Sequence, residues 1–247
     1  MFPIRDHNPS GRTPYVTYAL IFANIAVFLS YFAMLDDPRA INAFFYDWAI
    51  LPARVAQGAG FETLVTSMFL HAGFMHLAGN MLFLWIFGDN LEDEMGHGWF
   101  FTFYMVGGIG AGLVHVLSAP YSTVPTVGAS GAIAAVMGGY LLLFPKAKVD
   151  ILLILIVFFK IFPIPAWIML AIWFAMQFFG GLGADPDTGG VAYWAHAGGF
   201  VIGFILTIPI WLKRGGTAFW NKNHGQPPHP KASYAFSASR IPKIPRK

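Results

Sequence analysis

The sequence predicts an all-α polytopic membrane protein, built as a bundle of six transmembrane helices. Of its 247 residues, 56% are hydrophobic and only 11% are charged, and the mean hydropathy is +0.58. Soluble domains carry about 25% charged residues, so a soluble fold of this composition could not cover its surface. Long uncharged runs also recur along the chain, which is the pattern of membrane-spanning helices.

Six apolar segments account for these runs. The first, at residues 15–35, is too long for the core of a cleaved signal peptide, and no small-residue cleavage pattern follows it, so we expect a retained helix. Further segments are expected at residues 73–91, 99–119, 130–144, 165–180 and 191–212. The run that begins at Ile151 is too long for one span of about 20 residues. Because Pro163 and Pro165 divide it, a membrane-surface segment is expected at residues 151–164.

The remaining stretches organise the chain around one membrane domain at residues 15–213. A short cytoplasmic N-terminal segment is expected at residues 1–14. The insert at residues 36–72 is rich in aromatic residues, which favours partial insertion at the level of the lipid headgroups. The tail at residues 214–247 is rich in Pro, Ser and Lys and is expected to be disordered, basic and cytoplasmic.

Basic residues near the segment ends set the orientation. The side that holds both termini carries Lys146, Lys148, Lys213 and Arg214, whereas the opposite side has Arg39 and Arg54 only. The positive-inside rule therefore places both termini in the cytoplasm. We expect a multi-pass integral protein of the cell (inner) membrane.

Four polar side chains are expected in one layer near the outer surface. The fourth segment is short of the roughly 20 residues of a full span, so Ser130 at its outer end must lie below the surface. Non-helical backbone at that depth requires protein or a water-filled cavity around it, so a cavity open to the outside is expected above Ser130. His196 lies about 8 Å below the start of the sixth segment. His76 and Asn80, four residues apart, share one face of the second segment.

Small residues form stripes on two segments: Gly131, Ala135 and Gly139 on the fourth, and Gly199 and Gly203 on the sixth. Such stripes let helix backbones approach closely in lipid. This approach would bring His196 toward Ser130, although each stripe could also serve packing alone.

The chemistry of this layer predicts a nucleophile and its base. A serine hydroxyl is a poor nucleophile without an adjacent base, and neutral His196 can take the Ser130 proton and return it to a leaving amine. No Asp or Glu lies in the outer half of any expected segment, so a Ser–His dyad is expected rather than a triad. Asn80, His76 and the Ser130 backbone N–H could stabilise the oxyanion, aided by the helix N-terminus.

Other interpretations remain open for single residues. A lone intramembrane serine usually serves structure, whereas an intramembrane histidine is functional by default. His115 has no partner that the sequence can name and is given a packing role, and His71 either supports the site or lies at the interface. A histidine-only metal site from His71, His76 and His196 is conceivable, but the chain has no cysteine and no carboxylate nearby. We expect no metal and no cofactor.

Three motifs carry a family resemblance: His71-Ala72-Gly73-Phe74-Met75-His76-Leu77-Ala78-Gly79-Asn80, then Gly128-Ala129-Ser130-Gly131, then Ala195-His196-Ala197-Gly198-Gly199 with Gly203. In this order, with six segments, the chain resembles the rhomboid intramembrane serine proteases of the bacterial type over most of residues 15–213. The resemblance implies a rhomboid-like bundle with Ser130 as nucleophile, His196 as general base, and His76 and Asn80 as oxyanion stabilisers. It also implies that the insert is the membrane-lying first loop.

The resemblance further implies cleavage of transmembrane substrates near their outer ends, often after small residues. We expect single-span membrane proteins and the lipid bilayer as partners, and no nucleic acid. Because such substrates arrive from lipid, a wall of the cavity must open sideways, and the fifth segment is the best candidate. Pro163 and Pro165 would loosen its start, Gly180, Gly181 and Gly183 would loosen its end, Trp167 and Trp173 would border the entrance, and Trp173, Gln177 and Phe178 would form the substrate gate.

Two departures from the family pattern stand out. No Trp-Arg pair occurs in the first loop, and Ala134 stands where some members carry an aromatic residue that stacks on the catalytic histidine. The sequence therefore does not identify the residue that orients the His196 ring. A non-cleaving rhomboid-like protein that binds membrane clients is the alternative, although such relatives typically lack the serine or the histidine. A channel or transporter would need intramembrane charges, which the deep segments lack.

Overall fold

A computed structural model describes residues 2–8, 10–155, 158–185 and 187–223. The helices are α1 (Tyr15–Tyr31), α2 (Pro38–Trp48), α3 (Pro52–Ala56), α4 (Thr63–Thr66), α5 (Phe74–Met95), α6 (His97–Ser118), α7 (Ser130–Leu143), α8 (Ala166–Gly183), α9 (Tyr193–Lys213) and α10 (Thr217–Asn223). Short 3-10 turns occupy Phe32–Asp36 and Ser67–Phe69. The strands are β1 (Phe2–Asp6), β2 (Lys148–Leu155) and β3 (Phe158–Pro165).

Long apolar helices confirm the predicted polytopic membrane fold. Among the described residues, 4 helices are long and apolar enough to cross a membrane, at Tyr15–Asp36, His97–Ser118, Ala166–Gly183 and Tyr193–Lys213. The count becomes 5 if Thr63–Phe69 and Phe74–Met95, which meet at 95°, form one broken span. The expected fourth segment is α7, which has 14 residues and lies almost wholly buried inside the bundle. A helix surrounded by protein does not have to match the thickness of the hydrocarbon core.

Helix α7 packs most closely against α9, through the small residues that the sequence singles out. A side chain at Gly203 would overlap the backbone carbonyl of Ala135, and one at Gly199 would overlap that of Gly131. On the other stripe, a side chain at Gly139 would meet the Thr207 hydroxyl. The two stripes therefore face each other and set the distance between the helix axes.

A three-stranded antiparallel sheet corrects the predicted membrane-surface segment at residues 151–164. Strands β2 and β3 form a hairpin in that region, and β1 adds to β2 from residues that were expected only as an N-terminal segment. The stretch is rich in Ile and Phe, which favour strands. Pro163 and Pro165 lie on β3, an edge strand where a missing N–H is tolerated. The all-α prediction therefore holds for the membrane bundle and misses the sheet.

Side chains tie this sheet to the ends of the helices. Arg5 Nε donates to Asp150 Oδ2 at 2.7 Å, and the Tyr140 hydroxyl donates to Asp6 Oδ2 at 2.8 Å.

The prediction of a disordered tail is wrong for Thr217–Asn223, which form a helix. Within this helix, Trp220 Nε1 donates to the Leu142 carbonyl at 2.9 Å. Residues 224–247 of that prediction lie outside the described residues. We call this end of the bundle the terminal face, and the end with residues 119–129, 184–185 and 187–192 the loop face.

The insert at residues 36–72 holds the loop that precedes α7. The backbones of Ile50 and Thr126 bond to each other at 3.1 and 2.8 Å, and the Gly128 N–H donates to the Ser67 carbonyl at 2.9 Å. On its other side, the Tyr31 hydroxyl bonds to the backbone of His71 in both directions. The insert therefore fixes the chain on both sides of the polar layer.

The contact between α7 and α9 predicts a strong response to one methyl group. Gly203→Ala should lower the free energy of unfolding by about 1–3 kcal/mol or more, because the methyl group meets backbone that cannot rotate away. Thermal unfolding in detergent measures the effect. Gly183→Ala, also on a membrane helix but with no atom within 4 Å of the new methyl, is the matched control. Equal melting temperatures for the two variants would contradict the packing role of Gly203.

Candidate active site

Ser130 and His196 meet at the loop face. Ser130 is the first residue of α7, and His196 lies in the first turn of α9. Because α9 begins at Tyr193 rather than Val191, His196 lies closer to the helix start than the sequence suggested. The Ser130 hydroxyl donates to His196 Nε2 at 2.7 Å. This pair has the geometry that a nucleophile and its general base require.

The other nitrogen of the His196 ring contacts α8. His196 Nδ1 lies 2.8 Å from Gln177 Oε1, and the Gln177 amide nitrogen donates to the Trp173 carbonyl at 3.4 Å. An amide oxygen can only accept, so Nδ1 carries the proton and Nε2 is left free to accept from Ser130. The Trp173 indole also stacks on the His196 ring, with centroids 5.9 Å apart and planes at 29°.

These contacts give His196 the support that Ala134 does not provide. Ala134 is fully buried in α7 and has no ring to stack. Sequence reasoning placed Trp173 and Gln177 in a substrate gate and missed their contacts with the base. The available signal was the spacing of four residues, which puts both side chains on one face of the helix.

His76 and Asn80 lie beside Ser130 with donors available. The Ala72 N–H donates to His76 Nδ1 at 3.3 Å, so the proton of neutral His76 is on Nε2. A side chain at Gly128 would lie 2.9 Å from His76 Nε2 and 3.3 Å from Ser130 Oγ, so these two atoms flank the same backbone position. Asn80 is buried, and its Nδ2 has no hydrogen-bond partner within the described part of the chain. Ser130 and its three predicted partners, His76, Asn80 and His196, are thus brought together from three helices: α5, α7 and α9.

The first glycine of the Gly-Ala-Ser-Gly motif shapes the turn before Ser130. Gly128 has φ +133°, a region that side chains with a Cβ rarely adopt. A Cβ there would also occupy the space between His76 and Ser130. The glycine therefore allows the turn that leads into Ser130 and leaves the space between His76 and Ser130 unfilled.

A cavity of about 1490 Å³ covers this layer, as the short α7 led us to expect. Its walls include all four polar residues of the layer: His76, Asn80, Ser130 and His196. Its lining also includes residues of the loop face, Phe83 of α5 and Trp173 of α8. The cavity therefore lies between the loop face and these two helices.

Two further histidines, His115 and His71, lie close to the site. His115 Nε2 bonds to the Thr126 hydroxyl at 2.8 Å, so it holds the loop before Ser130 rather than serving packing alone. His71 is fully buried, and its ring meets the His76 ring edge-on at 5.1 Å. Among the described residues, no group of three or more His, Cys, Asp or Glu side chains could hold a metal ion.

Both ends of α8, which prolines and glycines were expected to loosen, contact neighbouring elements. Pro163 and Pro165 belong to β3, and the Trp167 N–H at the start of α8 donates to the Pro145 carbonyl at 2.9 Å. At the other end, Gly180 and Gly181 leave room for the rings of Tyr193 and Trp194. The third expected gate residue, Phe178, is 39% exposed and packs edge-on against Trp194 at 5.9 Å.

Comparison with known proteins gives the chain a family. The model of the Rhomboid domain matches residues 59–213. The chain is 30% identical over 200 residues to Rhomboid protein 1, mitochondrial, of Saccharomyces cerevisiae. This match covers 77% of this chain and 51% of that protein. It is 45% identical over 69 residues to Rhomboid-like protein 11, chloroplastic, of Arabidopsis thaliana, covering 28% of this chain and 24% of the relative.

A third relative is named as an enzyme. The chain is 39% identical over 87 residues to Rhomboid protease GluP of Bacillus subtilis, covering 35% of this chain and 16% of that protein. The chain spans about half the length of the yeast relative and less of the other two. These relatives are mitochondrial, chloroplastic and bacterial proteins, so the resemblance is not confined to the bacterial type. Because the domain model covers more than half of the chain, this protein belongs to the rhomboid family.

Proposed function

We propose that the protein is an intramembrane serine endopeptidase that cleaves transmembrane substrates near the loop face with a Ser130–His196 pair. The observation that carries the proposal is the 2.7 Å contact between Ser130 Oγ and His196 Nε2 at the floor of a cavity within a membrane bundle. The Bacillus subtilis relative, which bears the name of a rhomboid protease, supports the same class of reaction.

The geometry supports a two-step acyl transfer. Ser130 Oγ attacks the scissile carbonyl while His196 Nε2 takes its proton, and the same proton then goes to the leaving amine. This leaves the substrate acyl group as an ester on Ser130. Water from the cavity attacks the ester, with His196 again accepting a proton and returning it to Ser130.

Three donors are available to stabilise the oxyanion. These are the Ser130 backbone N–H at the start of α7, His76 Nε2, and Asn80 Nδ2, which has no partner in the described part of the chain. Donors fixed in place before the reaction stabilise negative charge more strongly in a site shielded from bulk water. An Asn80 amide without a partner in the described chain is available for such a bond.

The shape of the cavity supports a substrate that comes from lipid. The cavity lies between the loop face and helices α5 and α8, so a single-span membrane protein could enter from the side of the bundle while water enters from the loop face. We propose Phe178, on α8 beside α9, as the side chain that restricts this movement. Trp173 and Gln177 are less suited to a purely steric gate because they also contact His196.

The same proposal assigns an orientation in a cell membrane. The terminal face carries Lys146, Lys148, Lys213 and Arg214, so the positive-inside rule places it in the cytoplasm. The loop face and the active site would then lie toward the outside. Exposed aromatic side chains at Tyr46, Trp48 and Phe61 support contact of the insert with the headgroups.

The dyad predicts complete loss of cleavage in two variants. Ser130→Ala and His196→Ala should each abolish cleavage of a single-span reporter by purified protein in proteoliposomes, without loss of folding. Asn80→Ala should lower the rate by about 10²-fold, the scale expected for one oxyanion donor. Ser30→Ala, which removes an exposed hydroxyl from α1, is the control. Reporter binding without cleavage by the unmodified protein would favour the client-binding alternative.

The basic flanks predict the sidedness of the protein. A reporter fused after Lys247 should read as cytoplasmic, and one inserted at Thr188 on the loop face should read as external. Paired alkaline phosphatase and fluorescent protein fusions measure both positions. An external C-terminus would reverse the orientation and place the site on the cytoplasmic side.

The proposed gate predicts a gain of activity that depends on the substrate. Phe178→Ala should raise cleavage of a transmembrane reporter several-fold, because α8 loses a contact with α9, at some cost in stability. Labelling of Ser130 by a small fluorophosphonate should not change, since that reagent can enter from the loop face. Ile172→Ala, on an exposed position of the same helix, is the control. Unchanged reporter cleavage by Phe178→Ala would show that substrate enters elsewhere.

A further inference from the structure

The orientation of the catalytic base is determined by a helix that carries neither the nucleophile nor the base. His196 is held on α9, yet its ring makes its second hydrogen bond and its stacking contact with α8. A general base must present its unprotonated nitrogen to the nucleophile, and a hydrogen-bond acceptor at Nδ1 favours the tautomer that leaves Nε2 free. In the described chain, the acceptor that contacts Nδ1 is Gln177 Oε1.

We propose that Gln177 is a positioning residue that completes a Ser130–His196–Gln177 relay. Its amide oxygen accepts from His196 Nδ1–H, which fixes the tautomer and the plane of the ring and aims Nε2 at Ser130. The inference rests on the proposed function for its consequences in catalysis. A neutral amide that orients a histidine has a counterpart in the Cys-His-Asn arrangement of other proteases.

The surroundings of Gln177 fit this role better than a merely steric one. The side chain is only 8% exposed, and burying an amide is costly unless its polar atoms are bonded. Here both ends of the amide are engaged: the nitrogen donates to Trp173 one turn earlier, and the oxygen faces His196. The bond to the Trp173 carbonyl favours the amide orientation that turns the oxygen, and not the NH₂ group, toward Nδ1.

A glutamine also suits the depth of the site. A carboxylate would bind Nδ1–H more strongly, but an ionised side chain inside a membrane bundle is costly. The amide gives direction without charge. Since the amide does not neutralise an imidazolium, it orients the base more than it stabilises the protonated form.

The position of Gln177 on α8 links the base to the proposed lateral opening. Trp173 stacks on one face of the His196 ring, and Gln177 bonds to its edge. Displacement of α8 would therefore remove both supports together. The base is aligned when α8 is seated against α9, which means that chemistry follows reclosure around the substrate.

The test measures how fast a small fluorophosphonate labels Ser130 in the unmodified protein and in Gln177 variants. This reagent needs the activated nucleophile but does not need a transmembrane segment to enter the site. Gln177→Met keeps the size and flexibility of the side chain and removes the oxygen. Its labelling rate should fall by about 10²-fold, the effect of misplacing a catalytic group by about 1 Å. Gln177→Glu keeps an oxygen at the same reach and should restore most of the rate. Met176→Leu, at a 56% exposed neighbouring position, is the matched control.

The second measurement is the tautomer of His196, read by ¹⁵N-histidine NMR in lipid nanodiscs and assigned by comparison with His196→Ala. The unmodified protein should carry the proton on Nδ1, and Gln177→Met should show the Nε2–H form as well. Wild-type labelling by folded Gln177→Met would overturn the proposal, and so would slower labelling with an unchanged tautomer. Gln177→Leu is judged by the same two measurements should Gln177→Met fail to fold.

The two measurements also separate this inference from the proposed function. An unmodified protein that is never labelled at Ser130 would contradict the protease assignment. The tautomer comparison needs no activity, so it still decides whether Gln177 orients His196.

Discussion

The backbone contact between α7 and α9 is the constraint on which the site depends. Ser130 and His196 are brought within hydrogen-bond distance because the two helices approach until the glycines of one lie on the carbonyls of the other. In lipid, such an approach is stabilised by van der Waals packing and not by the hydrophobic effect, since the lipid acyl chains are as apolar as the side chains. A single methyl group in the seam would therefore separate the reacting pair as well as destabilise the bundle.

Around this seam, the other elements supply the groups that α7 and α9 lack. Helix α5 brings His76 and Asn80 to the cavity, and the insert holds the turn at Gly128 through the Ser67 carbonyl. The same turn, with its positive φ, gives the Ser130 N–H its place at the start of a helix. Polar atoms are thus supported by backbone hydrogen bonds from loops, which is tolerated at this depth because protein and the cavity surround them.

In the proposed mechanism, α8 would have two opposed roles. As a wall of the cavity, it would have to move to admit a substrate from lipid, whereas as the support of His196 it would have to stay in place. Its start is hydrogen-bonded to the segment that follows α7, and its end packs against the rings of Tyr193 and Trp194 on α9. A wall that both admits the substrate and aligns the base would limit reaction to the closed arrangement, in which water can enter only from the loop face.

The sequence by itself determined the membrane class, the positions of the apolar helices, the small-residue stripes and the four polar residues of the layer. Those features follow from local composition and from a helical period, which a single chain displays directly. It did not reveal the β1–β2–β3 sheet, because β1 and β2 are far apart in sequence and a strand pairing leaves no local period across that gap. Nor did it identify Gln177 as the partner of His196. That contact depends on how α8 rotates and packs on α9, and only the packing of the whole bundle decides which face of a mostly apolar helix turns toward His196.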